Sequence, residues 1–177
     1  MSAFADRRDL VLNEVGTALR EIDPGQIDRL VDQFRSTDTW FCGGQGRSGL
    51  VARMTAMRLM HLGRAVHVIG DTTTPAIRGG DGALILSASG RTTTSIAHAR
   101  AIKERQAVLA VVTCSASSEL AALGDIVVTV PAATSRQFGG SLFEQTALIM
   151  LDTVALALES DDASARVAMQ RRHANLE

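Results

Sequence analysis

The sequence predicts an α/β fold, a three-layer αβα sandwich on a five-stranded parallel sheet, and three observations predict it. Five short apolar runs rich in Val and Ile recur along the chain, each bounded by Gly, Asp or Pro. Helical patterns separate most of them, and strands apolar on both faces that alternate with helices make a parallel sheet covered on both sides, with right-handed crossovers. Two glycine-rich turns carrying hydroxyls, Gly43-Gly44-Gln45-Gly46-Arg47-Ser48-Gly49 and Ser87-Ala88-Ser89-Gly90-Arg91-Thr92-Thr93-Thr94, each follow an apolar run and each open a helical one.

The elements follow in order. From Asp6 to Phe34 the apolar residues keep helical spacing through Leu10, Val11, Val15, Leu19 and Ile22, break at Asp23-Pro24-Gly25, and resume through Ile27, Leu30, Val31 and Phe34. This is an N-terminal helical arm over about 6–35, either two helices or one interrupted. The strands of the α/β core, about 38–158, are expected at Thr39–Cys42, Ala65–Ile69, Ala83–Leu86, Val108–Thr113 and Ile126–Val130. Helices are expected at Gly49–Leu62, Thr93–Arg105, Ser117–Leu123 and Ser141–Leu158. The second and third strands are joined by the polar loop Gly70-Asp71-Thr72-Thr73-Thr74-Pro75 in place of a helix. No repeat, linker or low-complexity segment divides the chain, so residues 1–177 are read as one domain, with a tail over 160–177 polar enough to extend from it.

Composition narrows the function classes. With 177 residues, 46% hydrophobic and 21% charged, the chain has a sizeable core to bury. A net charge of −1, no basic run, five Phe, one Trp and no Tyr argue against a nucleic-acid surface, for want of both charge and stacking platforms. The N-terminal residues lack the apolar segment of a signal peptide, and no apolar stretch approaches the roughly 20 residues that span a bilayer, so a cytoplasmic protein with no membrane partner is expected. Cys42 and Cys114 end apolar strand-like runs and read as inert packing thiols, and no His/Cys cluster has the spacing of a structural zinc site.

The two glycine turns have the layout of a phosphate site built twice. Glycines let the main chain turn tightly and approach a ligand, while the free N–H groups of a first helical turn and the positive end of its dipole face an anion. Such turns are also Gly- and Ser-rich for turn and capping reasons alone, so it is the pair of them that points to a ligand. In open parallel sheets ligands bind at the carboxyl ends of the strands, where both turns and the threonine loop emerge.

Together, Gly44-Gln45-Gly46-Arg47-Ser48-Gly49, Met57-Arg58-Leu59-Met60-His61-Leu62-Gly63, Thr72-Thr73-Thr74-Pro75-Ala76-Ile77, Ser87-Ala88-Ser89-Gly90 and Gly140-Ser141-Leu142-Phe143-Glu144-Gln145 resemble the 6-phospho-3-hexuloisomerase family of the sugar isomerase (SIS) domain group. The resemblance runs from about Asp6 to about Leu158 with the motifs in order. It implies a flavodoxin-like or Rossmann-like SIS sandwich. One departure stands out: the family's second loop usually reads Ser-Gly-Ser-Gly-Glu-Thr, and here Ala88 and Arg91 replace the second Gly and the Glu. Arg91 either strengthens phosphate binding or marks a changed substrate.

The activity that the resemblance implies is an intramolecular oxidoreduction, the interconversion of D-arabino-hex-3-ulose 6-phosphate and fructose 6-phosphate. It implies with it a place in the ribulose monophosphate pathway of formaldehyde fixation or its reverse. The carbonyl moves from C3 to C2 through an enediol, so a positioned base and a group that steadies the oxyanion are needed. No redox cofactor or metal is required. Other readings are an aldose–ketose isomerase acting on arabinose 5-phosphate or a related sugar, and a SIS sensor that binds a sugar phosphate without chemistry.

Glu144 is the candidate base, a position to which the resemblance also points. Ser141-Leu142-Phe143-Glu144 is equally a capping box, in which Glu144 would bond back to the helix start. His61 is the second catalytic candidate, suited by a near-neutral pKa to protonate a sugar oxygen or shuttle the enediol proton. It lies about 20 Å from Ser48 at 1.5 Å rise per residue, so it reaches a site only in a neighbouring subunit. The bland alternative is a helix-end histidine interacting with the dipole. His67 and His98 read as packing or surface residues, and nothing marks His173 beyond its place in the tail. For the substrate and its phosphate the candidates are Ser48, Ser87, Ser89 and Thr92 with main-chain N–H groups from Gly46 onward, Arg47 on the sugar or in an intersubunit salt bridge, and, more weakly, Thr72 and Thr73. The apolar arm and last helix carry more hydrophobic surface than one small sheet needs, which favours a homodimer or homotetramer.

Overall fold

The computed structural model describes residues 2–159 and 163–175. The arm is two helices, α1 (Ala3–Arg20) and α2 (Pro24–Ser36). Ser2 accepts from the Phe4 N–H at the start of α1, and Asp23 accepts from Gly25 N–H at the start of α2, where Pro24 supplies a φ already suited to a first helical turn. The break at Asp23-Pro24-Gly25 is therefore one helix end followed by a new start. α1 begins three residues earlier than its apolar spacing suggests, because the Ser2 cap acts ahead of the first apolar contact.

The five strands, β1 (Thr39–Gly44), β2 (Ala65–Val68), β3 (Gly82–Leu86), β4 (Val108–Thr113) and β5 (Ile126–Thr129), pair only in parallel, in the order β2-β1-β3-β4-β5. The register runs Trp40 to Gly82, Leu84 to Ala110 and Val112 to Val128 across the buried middle. Alternate side chains point to opposite faces. Trp40, Cys42, Leu84, Leu86, Val112 and Val128 pack with α2, α3 (Gly46–His61) and α6 (Ser141–Leu158). Phe41, Ala83, Ile85, Leu109 and Val111 pack with α4 (Thr93–Glu104) and α5 (Glu119–Leu123). Trp40 is fully buried against Phe34, ring centroids 4.4 Å apart, and its indole N–H donates to the Thr37 carbonyl, so α2 is locked to the sheet.

This topology fixes the site. The chain leaves β1 for α3 on one face and leaves β3 for α4 on the other, so the carboxyl ends of these adjacent strands form the crevice where such sheets bind ligands. α6 has 18 residues and a mean hydropathy of 1.4, enough by length and composition to cross a membrane, but Phe143, Ala147, Met150, Leu151 and Val154 are buried in the core against the sheet, α2 and α3. α1 lies on α6 through Val15, Ala18 and Leu142.

Two sequence expectations are corrected. α3 starts at Gly46 where Gly49 was expected, because the polar Gly-Arg-Ser triplet takes up the first helical turn. The tail does not simply extend: α7 (Ala163–Arg172) returns to α3, where Arg172 Nη1 donates to the His61 carbonyl at 3.0 Å. That bond satisfies one of the carbonyls a helix end leaves without an intrahelical partner.

Candidate active site

The first loop turns where β1 meets α3. A Cβ on Gly49 would lie 2.7 Å from the Gly44 carbonyl oxygen, closer than real side chains come, so only glycine lets the first turn of α3 press onto the strand end. Ser48 is buried in that turn. The second loop leaves β3 through Gly90, whose φ of +60° sits in the left-handed region and whose missing Cβ would strike Ser118 Oγ at 2.1 Å. Behind it Ser87 Oγ and Thr92 Oγ1 are 3.2 Å apart, and Ser89 Oγ accepts from the Arg91 N–H. Thr113 Oγ1 donates to the Ala88 carbonyl and holds the turn from below.

The caps sort the helices. α1, α2 and α5 begin on side chains that accept from their first N–H groups, Ser2, Asp23 and Ser118. α3, α4 and α6 begin at Gln45, Thr92 and Gly140 with no side-chain cap bond. Those three leave first-turn N–H donors open, as an anion site requires. α3 and α4 open from the two glycine-rich loops, and α6 brings Glu144.

The capping-box alternative for Glu144 is not formed. Gly140 is the cap residue, Ser141 Oγ donates to the Phe138 carbonyl, and the Glu144 carboxylate turns instead to Arg47, whose Nε donates to Oε2. A Cβ built on Gly140 would stand 3.4 Å from Glu144 Oε1 and 3.9 Å from the Ala88 methyl, so the second loop, the start of α6 and Glu144 meet at one spot. The structure thus brings together the first loop, through Arg47, with Glu144 and the second loop. Glu144 is 11% exposed in its side chain and Arg47 64%. A largely sheltered carboxylate thus stands beside a largely exposed guanidinium.

Thr72 and Thr73 are exposed at the loop after β2, and neither makes a side-chain hydrogen bond among the described residues. Thr74 beside them is structural, its hydroxyl donating to the Val68 carbonyl at 2.5 Å. The loop is tied to α3 by a two-pronged Arg53–Asp71 pair.

His61 is the last residue of α3, at the opposite end of that helix from Ser48, and one chain does not bring it to Glu144. It is 5% exposed, and its ring stacks on His173, centroids 5.2 Å apart and planes at 10°. A helix C-terminus by itself favours imidazolium, but here burial first, then the positive charges of His173 and Arg58, hold the His61 pKa below its usual value. His61 is therefore neutral near neutral pH. Sequence reasoning missed His173, which no local pattern marks.

Burial pushes the Cys42 thiol up to about 12 and raises Cys114 as well, so neither is a thiolate nucleophile at neutral pH. No group of three His, Cys, Asp or Glu side chains that could hold a metal ion occurs among the described residues.

Comparison with known proteins places this architecture. The SIS domain model matches residues 33–158. A 3-hexulose-6-phosphate isomerase of Mycobacterium gastri is 43% identical over 95% of this chain and 88% of its own, and one of Bacillus subtilis is 35% identical over 94% and 95%. A solved structure of a hypothetical protein from Methanococcus jannaschii, described as inferring a molecular function of 3-hexulose-6-phosphate isomerase, superposes with a TM-score of 0.86 at 30% identity, covering 97% of this chain and 99% of that one. The chain therefore belongs to the SIS domain family, in the branch that holds the 3-hexulose-6-phosphate isomerases.

Proposed function

We propose that this protein is the sugar-phosphate isomerase that interconverts D-arabino-hex-3-ulose 6-phosphate and fructose 6-phosphate, with Glu144 as the base. The observation that carries the reading is the meeting of Glu144 with both glycine-rich loops at the β1/β3 crevice, beside three helix starts that no side chain caps. The family relationship supplies the substrate.

The phosphate rests on the first-turn N–H groups of α3 and α4, with the Ser48, Ser87, Ser89 and Thr92 hydroxyls as further donors. The 3-ketose binds open-chain, since its O6 is blocked by phosphate and attack by O5 would close a four-membered ring. Glu144 removes the proton on C2, the electrons of that C–H bond form the C2–C3 enediol, and a proton returned to C3 leaves the carbonyl at C2. Arg47, released from Glu144 as substrate enters, faces the enediolate oxygen that gains charge. Thr72 and Thr73 are assigned to sugar hydroxyls. No step calls on a cofactor.

His61 acts on the site of a second copy. α3 presents Leu50, Met54 and Met57, and its neighbour α6 presents Ile149 and Leu156, as an exposed apolar face, and on α3 that stripe lies between Arg47 at one end and His61 at the other. Two copies laid antiparallel along α3 bury this face and bring each His61 toward the partner's loops, a distance set by a helix about 24 Å long. A neutral imidazole there shuttles protons between the sugar oxygens without first losing one. The protein is proposed on this basis to be a homodimer or homotetramer, and its metabolic family relationship supports the proposal that it is cytoplasmic. Feeding the 3-ketose phosphate and following fructose 6-phosphate tests the activity: formation at an enzymatic rate supports it, and a bound but unchanged ketose refutes it.

A further inference from the structure

A cleft of about 360 Å³ opens between α3, α6 and α7 at the far end of α3 from the glycine loops, lined by Arg58, His61, Glu159, Arg166 and His173 among others. Three features of its wall go beyond packing. His61 and His173, the residue that follows α7, stack nearly parallel. Arg172, next to His173, holds the last carbonyl of α3 and fixes α7 in register against it. The positive groups Arg58 and Arg166 stand in the same wall, Arg58 paired with Asp152 of α6 at 3.4 Å.

We propose that His173, in the wall of this cleft, is a positioning residue that sets the His61 ring for the partner's substrate. This rests on the reading of His61 as acting in a second copy. It deepens that reading by assigning a role to the tail helix: α7 carries no part of its own chain's loops, yet it aims the one residue that chain sends across. The ligand it meets is the polyhydroxy end of a sugar phosphate, which suits a wall that mixes imidazoles, guanidinium groups and the Glu159 carboxylate. The charged and titratable groups that line the cleft with His61 are Arg58 from its own helix, Arg166 from α7, His173 just after α7 and Glu159 just after α6, while Arg172 bonds the His61 carbonyl and Asp152 of α6 pairs with Arg58.

The test uses the full chain with His173→Ala, His173→Phe, His61→Gln and Glu144→Gln, each checked for parent-like assembly. His173→Ala is expected to lower kcat about tenfold or more with KM nearly unchanged, since a misaimed shuttle slows proton transfer and leaves phosphate binding alone. His173→Phe keeps a stacked ring and removes the influence of His173 that lowers the His61 pKa. It is expected to restore kcat to within a few-fold of the parent and to move the acid limb of the kcat profile to higher pH. Hybrids purified from co-expressed, differently tagged chains then locate the defect. His173→Ala with Glu144→Gln leaves one site intact and gives about half the parent turnover, whereas His173→Ala with His61→Gln gives none beyond the parents. Parent-like kcat and pH profile for His173→Ala overturn the positioning role. Failure of the His61→Gln and Glu144→Gln hybrid to recover activity overturns the shared site instead.

Discussion

Arg47 in the first turn of α3 and Glu144 in the first turn of α6, 97 positions apart, form an ion pair across the β1/β3 crevice. The pair joins the loop after β1 to the last core helix beside the loop after β3, and its asymmetry matters: the carboxylate is sheltered and the guanidinium faces solvent. Such a pair adds little to stability, so under the proposed mechanism its part is to hold Glu144 in place until substrate takes the arginine.

Glu144→Gln keeps the shape of the side chain and removes its basicity. Turnover is expected to fall by about 10²–10⁴ with an unchanged melting temperature and unchanged affinity for inorganic phosphate. Steady-state kinetics and phosphate titration check this, and activity within about tenfold of the parent removes Glu144 from the role.

Arg47→Ala separates binding from folding. The exposed guanidinium contributes at most about 1 kcal/mol to stability, so thermal unfolding moves little. Loss of a charge-assisted bond to substrate is expected to raise KM and lower kcat, with kcat/KM down about tenfold or more.

Ser87→Ala tests the second loop. Ser87 and Thr92 face each other at 3.2 Å, and in the proposed phosphate site each gives a donor to a phosphate oxygen. Removing one bond to a charged ligand costs about 1.5–3 kcal/mol, so the inhibition constant of inorganic phosphate is expected to rise at least about tenfold. An unchanged constant contradicts the assignment.

Gly90→Ala is a stability prediction. A methyl group at φ +60° and 2.1 Å from Ser118 Oγ forces loop and α5 apart, an expected loss of about 2 kcal/mol or more. In a domain of this size that lowers the melting temperature by about 4–8 °C in a thermal scan.

The sign of the pH dependence follows from His61. Its pKa is lowered in the folded chain, so protonation is resisted by the fold. That contribution is fully present above the unfolded value near 6.5 and is lost as pH falls through the lower folded value. Stability is therefore expected to fall on the acid side of pH 6.5, less so in His61→Gln, as thermal unfolding across pH 5–8 will read.

The strands were legible because Val108–Thr113 and the other apolar runs are short, branched and fenced by turn residues, and the central ones, β3 and β4, are buried on both faces. The loops were legible because β1 and β3 end in glycines and hydroxyls. What was not legible depends on pairs far apart in sequence. Ser141-x-x-Glu144 has the local form of a capping box, and only Gly140 at the cap with Arg47 across the crevice shows that the carboxylate is used elsewhere. The tail reads as solvated because α7 is polar, yet Arg172 and His173 return to His61, an alignment that hydropathy does not encode. Gly46-Arg47-Ser48 reads as loop by composition and is helix by geometry.

The most direct test of the central claim is solvent deuterium uptake by fructose 6-phosphate in the presence of the protein, followed by NMR beside arabinose 5-phosphate. The C2–C3 enediol mechanism predicts label at C3 of the hexose together with a 3-ketose product, and none in the pentose phosphate. Label at C1 of the hexose, or no exchange in a sugar phosphate that demonstrably binds, contradicts it.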